Sequence, residues 1–183
     1  MPGFGLKPFG VRRPDDVEAF VVPASDGTAL FLHDAIIVNG TSDATSGRPQ
    51  AIRATAGATN RITGVVVGFE NDGNPAAAIY RVASTLRTVR AIVHKAQRYA
   101  VVSAGTIAAT DVSARGNLDH STAGSAYTGL SGAVMNATEA ATATFQLRIH
   151  RLISGPGLDI AAAGNVAEVS INIPVDSDDS AGV

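Results

Sequence analysis

The sequence predicts an all-β protein, an antiparallel jelly-roll-like sandwich or barrel with an extended N-terminal arm and long loops. Three observations predict it. First, residues 145–151 (FQLRIHR) and the stretch through Val169, Ile171, Ile173 and Val175 alternate apolar and polar side chains at the two-residue period of a half-buried strand. Second, residues 61–70 (RITGVVVGFE) are rich in the β-branched side chains that fit a pleated surface. Third, the segments between are turn signals such as Ser25-Asp26-Gly27 and Asn71-Asp72-Gly73-Asn74-Pro75, not helical repeats. Strands separated by turns, without intervening helices, close into antiparallel sandwiches or barrels.

Residues 1–16 read as an extended arm. Gly3, Gly5 and Gly10 with Pro2, Pro8 and Pro14 interrupt any helix there. Phe4, Leu6 and Phe9 are apolar without a regular element around them. Either the arm folds back over its own core, or it docks these side chains on a neighbouring subunit. Arg12 and Arg13 form a small basic spot, either solvated or anchoring carboxylates of a partner. A single β-rich domain is expected over residues 17–175 and an acidic tail over 176–183, carrying Asp176, Asp178 and Asp179.

Within the domain, residues 19–22 form a short strand that Pro23 ends. Apolar runs at 30–32 and 36–38 are broken by His33-Asp34, and 39–47 is a polar loop. Another extended piece begins at Ile52. In the strand over 61–70, Gly64 and Gly68 lie four apart and are expected on one face. Further strands are expected at 79–82, 89–94 and 99–103, with Lys95-Ala96-Gln97 as a hairpin loop. Residues 106–114 are compatible with a short helix. Residues 115–132, rich in Gly, Ser, Thr and Asn, read as a long surface connection. In the strand at 145–151, Phe145, Leu147 and Ile149 face the core, while Gln146, Arg148 and His150 face water or a partner. In the last strand Ser170 and Asn172 oppose the apolar set. The total is eight to ten short strands.

A chain of 183 residues can bury roughly 70% of the surface that its unfolded form exposes. It has no cysteine, which excludes disulfides and thiolate metal sites. Fourteen Lys and Arg oppose sixteen Asp and Glu, a formal charge of −2, and no basic stripe is present. That balance argues against direct nucleic-acid binding. Charged residues make up 16%, below the roughly 25% of an average chain, which suits a surface partly covered by other chains. The opening residues lack the apolar run of a signal peptide, and no stretch is long enough for a membrane-spanning helix.

Chemistry-bearing motifs are sparse. His33, His94, His120 and His150 are scattered, and no H-E-x-x-H occurs. Gly129-Leu130-Ser131-Gly132-Ala133 misses the nucleophile elbow, because its second glycine falls one place early. Gly3 and Gly5 do not continue into a dinucleotide fingerprint. The pairs Asp15-Asp16 and Asp178-Asp179 lie in polar segments where carboxylates are solvated. The residues therefore point to no enzyme, no cofactor and no metal.

Several strings together resemble the decoration or cement proteins of tailed bacteriophage heads. They are FGLKPFG near the start, VPASDGTALFLHDAIIV at 22–38, RATAGATNRITGVVVGFE at 53–70 and YRVAST at 80–85. AGTIAATDVSARGN at 104–117, GLSGAVMNATEAATATFQLRIHRL at 129–152 and the final EVSINIP complete the set. The resemblance covers most of the chain. It implies a structural virion protein on the outer surface of an icosahedral capsid, made in the host cytoplasm. Its partners would be the major capsid protein and further copies of itself, a homodimer before a trimer, with no direct contact to nucleic acid or membrane. Phe4, Leu6, Phe9, Arg12 and Arg13 are the expected contact residues. A rival reading is a carbohydrate-binding β-sandwich on the virion. The chain has no Trp for a sugar platform, only Tyr80, Tyr99 and Tyr127.

Overall fold

The computed structural model describes residues 3–10, 16–71, 79–93, 96–136 and 143–172. Its strands are β1 (Lys7–Phe9), β2 (Val17–Val22), β3 (Ala35–Ser42), β4 (Pro49–Arg53), β5 (Gly64–Phe69) and β6 (Arg87–Ile92). There follow β7 (Arg98–Val102), β8 (Arg115–Gly116), β9 (Leu118–Asp119), β10 (Val134–Met135), β11 (Leu147–Ile153) and β12 (Val166–Ile171). The fold is all-β, as the sequence predicts. The residues compatible with a short helix supply only one 3-10 turn, Ala109–Asp111.

Five strands close a barrel in the order β2-β4-β3-β5-β6. Four of its seams are antiparallel, and the seam between β2 and β4 is parallel, with Val21 opposite Gln50. The other five form an open antiparallel sheet, β1-β7-β12-β11-β8, with β9 and β10 as a separate pair. Phe20, Val22, Leu30, Ile36, Ala51, Val66, Val89 and Ala91 fill the barrel. A second core joins barrel to sheet. Ala35, Ile62 and Val65 meet Tyr99, Val101, Leu147, Ile149, Ala167, Val169 and Ile171 there. Burying each large side chain of this kind contributes about 1.5–3 kcal/mol.

Residues 3–10 pack onto the body. Leu6 is fully enclosed in the second core. Lys7–Phe9 pairs antiparallel with β7, Lys7 opposite Ala100 and Phe9 opposite Arg98. The backbone is stitched down just before: Gly5 N–H donates to Ala133 O (3.1 Å) and Leu6 N–H to His33 O (2.9 Å). Gly5 has a φ of 69°, and a Cβ there would stand 2.5 Å from His33 O, so this crossing requires glycine. Of the two readings of this segment, folding back over its own core describes Leu6.

Three other expectations are corrected. Gly64 and Gly68 do not share a face, because a bulge between Val66 and Gly68 shifts the register against β6. Gly64 lies opposite Ile36, and a Cβ there would meet Ile92 O at 2.6 Å, whereas one on Gly68 would meet nothing within 4 Å. Of the strand expected at 79–82, residues 79–80 are a bend, and Arg81 makes only an isolated bridge to Leu30. The connection at 115–132 is not wholly superficial: it supplies β8 and β9, and Leu118 and Ser131 are buried. Its exposed point is Tyr127, at 93%.

Candidate interaction surface

The open sheet has two faces of different character. Along β7, Tyr99 and Val101 point to the barrel, so Arg98, Ala100 and Val102 point away from it. Along β12, Ala167, Val169 and Ile171 point in, and Val166, Glu168 and Ser170 point out. On β11 a bulge between Ile149 and Arg151 changes the parity. Leu147 and Ile149 are buried before it. After it, Leu152 opposes Ala167 and packs on the inner core, while Ile153 opposes Val166 and joins the outer face.

That outer face divides in two. At one end Phe4, Phe9, Ala100, Ile153, Leu158 and Val166 line an open apolar groove of about 600 Å³. Phe9 is 38% exposed, Phe4, Ile153 and Leu158 are half-buried, and Ala100 and Val166 are buried. Lys7 and His33 also border the groove, and His33 Nδ1 lies 3.1 Å from Phe4 O. The other end is cationic. Phe9 is opposite Arg98, and Arg148 is opposite Ser170 on the neighbouring pair of strands, so these residues occupy one row across the sheet. His150 Nε2 lies 2.9 Å from Ser170 Oγ. Burial lowers the His150 pKa first, and repulsion from Arg98 and Arg148 lowers it further, against the pull of Glu168. Glu168 accepts from Arg151 Nε, and the Arg151 guanidinium stands 5.5 Å above the centre of the Phe9 ring. Arg98 Nη1 is buried without a hydrogen-bond partner among the described residues.

Of the contact residues expected from the sequence, the structure brings Phe4 and Phe9 to this groove and puts Leu6 in the core. Leu6, enclosed by its own chain, is withdrawn as a contact residue. Arg12 and Arg13 lie outside the described residues, as do His94, Asp15, Asp178 and Asp179. Sequence reasoning missed Ile153, Leu158 and Val166. The broken alternation in LRIHRLI, apolar at 147, 149, 152 and 153, was the available sign of the bulge.

The remaining polar side chains singled out in the sequence are bound into the architecture. Ser131 Oγ donates to Asp34 Oδ1 and accepts from Ala133 N–H at 3.0 Å. Asp34 Oδ2 accepts Phe31 N–H at 2.9 Å, and burial raises its pKa against these hydrogen bonds and Arg53. His120 is pushed down to about 4, first by burial and then by Arg53, with Asp119 opposing. Gln146, expected to face water or a partner, is fully buried. Its Oε1 accepts from Gly57 N–H (3.1 Å) and Leu118 N–H (3.2 Å). Its Nε2 donates to Thr55 O (2.9 Å) and Asn60 O (3.0 Å). Among the described residues no three His, Asp or Glu side chains converge as metal ligands, and no helix is long and apolar enough to cross a membrane.

Comparison of the chain with protein-family models, with curated proteins and with solved structures finds no match.

Proposed function

We propose that this chain is a structural protein that binds the outer surface of an icosahedral phage capsid and cements neighbouring capsomers, as the resemblance to head decoration proteins implies. The observation that carries the reading is the outer sheet face, where Phe4 and Phe9 border an open apolar groove beside a cationic row. A concave, mostly apolar groove with half-exposed side chains and a charged rim is the usual form of a binding site. The partners in this reading are the major capsid protein and a second copy of the chain. The mechanism is linkage. A protein that binds only the assembled lattice stabilises it by mass action, and repeated contacts add avidity.

Truncation is a poor test, because Leu6 and β1 are built into the body. Point substitution on the groove rim separates contact from folding. Phe9→Asp and Leu158→Asp alter half-exposed or exposed side chains and leave the inner core untouched. The wild-type protein should sediment stoichiometrically with matching undecorated capsids and give an oligomer mass in solution. The two variants should keep their circular dichroism and lose occupancy. Wild-type protein that ignores capsids, or variants with undiminished occupancy, would overturn the proposal.

A further inference from the structure

We infer that the outer face of the open sheet binds an acidic, apolar polypeptide segment, which seats an apolar side chain in the groove between Phe9 and Leu158 and sets carboxylates against Arg98 and Arg148. The inference deepens the preceding proposal by giving the partner a chemistry, and it rests on that reading only in taking the partner to be a protein.

Charge complementarity is the first argument. Lys7, Arg98, Arg148 and Arg151 project from this face, and Glu168 is the acidic residue among them. Glu168 is taken by Arg151. Neither Arg98 nor Arg148 has an ion-pair partner among the described residues, and Arg98 Nη1 is buried with no acceptor. Nη1 is out of a ligand's reach, but Arg98 as a whole is half-exposed, and an arriving carboxylate gains charge-assisted hydrogen bonds from a guanidinium that has no carboxylate of its own. The chain as a whole is slightly acidic, so this cationic row is a local feature against the average.

Spacing is the second argument. Arg98 is on β7 and Arg148 on β11, with Ser170 of β12 between them. Two strand spacings separate the cations by roughly 10 Å, more than one carboxylate spans. The face therefore suits several carboxylates along a chain better than one head group on a lipid tail. The apolar groove begins at the β1 end of that same row, where Phe9 pairs with Arg98. An apolar residue flanked by acidic ones meets both halves at once. Docking through side chains also fits the edge of the sheet. β1 is the edge strand beside the groove, and Pro8 at its centre has no N–H to offer an added strand.

The test uses the full chain and three synthetic peptides, one alternating leucine with aspartate, one serine with aspartate, and one leucine with lysine. Isothermal titration should detect binding of the leucine–aspartate peptide alone. Its Kd should rise about tenfold in Arg98→Gln/Arg148→Gln. It should rise likewise in about 0.5 M salt, where exposed charges are screened. Arg148→Glu, a change at an exposed position, gives the same reading if the double variant fails to fold. Equal binding of the leucine–lysine or serine–aspartate peptide would overturn the inference. So would an unaffected Arg148→Glu protein, or no binding of the leucine–aspartate peptide at millimolar concentration. Capsid sedimentation keeps the two proposals apart. Peptide binding without capsid binding removes the capsid reading alone, and capsid binding without peptide binding removes this one alone.

Discussion

Replacing Gln146 by methionine should cost the protein about 4 kcal/mol. Gln146 is buried at the bend just before β11, and it spends all four of its hydrogen-bonding positions on backbone far away in sequence. Methionine has nearly the same length and volume but can make none of these bonds. Each lost bond removes about 1 kcal/mol net, and a partner left buried without water costs about 1–3 kcal/mol. Leu118 N–H is the fully buried partner, and the Gly57, Thr55 and Asn60 groups are partly open to solvent. Counting four bonds at the lower figure gives the estimate. Gln146→Glu separates the contributions. It keeps an acceptor for Gly57 and Leu118 but turns a second oxygen toward the carbonyls of Thr55 and Asn60. Glutamate must then bind a proton to donate there, so its pKa rises above the usual ~4.3. The protonated form is the one that folds well. Its deficit against wild type should be smallest below about pH 4.3 and grow as pH rises through the folded pKa. Equilibrium urea unfolding at neutral and acid pH measures both quantities. A methionine variant that loses under about 1 kcal/mol, or a glutamate deficit that ignores pH, would refute the account.

Arg81 is fully buried and donates to Thr85 O (2.8 Å), Pro23 O (2.8 Å), Asp26 O (2.8 Å) and Thr28 O while pairing with Asp26. Arg81→Met should cost about 3–5 kcal/mol by orphaning these acceptors, and a change in urea midpoint worth under 1 kcal/mol would contradict it. Tyr99 Oη is buried with no partner among the described residues, and burial raises its pKa, so Tyr99→Phe should leave stability unchanged or raise it by about 1 kcal/mol in the same assay. His120 has a folded pKa of about 4 against an unfolded value near 6.5. Its contribution is present above pH ~6.5 and is lost as pH falls toward 4, up to about 3 kcal/mol, and His120→Phe should remove that slope from a series of urea midpoints. Asp34, whose pKa burial raises, pulls the other way, and comparing the variant with wild type cancels its effect.

Period and turn chemistry made much of this fold legible in advance. The strand at residues 19–22 appears as Val17–Val22, RITGVVVGFE holds β5, and the inward set Val169 and Ile171 is buried. Failures cluster where tertiary contact overrides a local pattern. Gln146 reads as solvent-facing because glutamine is polar. It is buried because the loops at 55–60 and 117–118 bring unpaired backbone groups to it, and nothing near 146 in sequence encodes that. The Tyr80-Arg81-Val82 string resembles a strand, but the arginine is drawn in by the carbonyls of the 23–28 turn. Bulges at residues 66–68 and 149–151 each reverse an alternation that a two-residue period extends too far. Of the interaction surface, Phe4 and Phe9 were legible as apolar side chains without a local element. Ile153, Leu158 and Val166 were not, since their place in the groove follows from sheet register and loop packing.

The bulge in β11 ties these threads together. Had the strand kept a strict alternation past Ile149, Ile153 would share the inner face and Leu152 would point outward. With the extra residue, Leu152 fills the inner core and Ile153 is turned onto the groove beside Val166. The residue at the bulge is His150, which reaches Ser170 in the cationic row. One irregularity thus completes the inner packing, extends the apolar half of the outer face and places an imidazole in its cationic half. A bulge leaves a ladder position unpaired and has an energetic cost, which an inward leucine offsets without any need for Ile153 to be exposed. Held outward, Ile153 packs instead in a third apolar cluster with buried Ala100, Val102 and Val166, alongside Phe4 and Leu158, and so forms the floor of the groove that Phe9 borders.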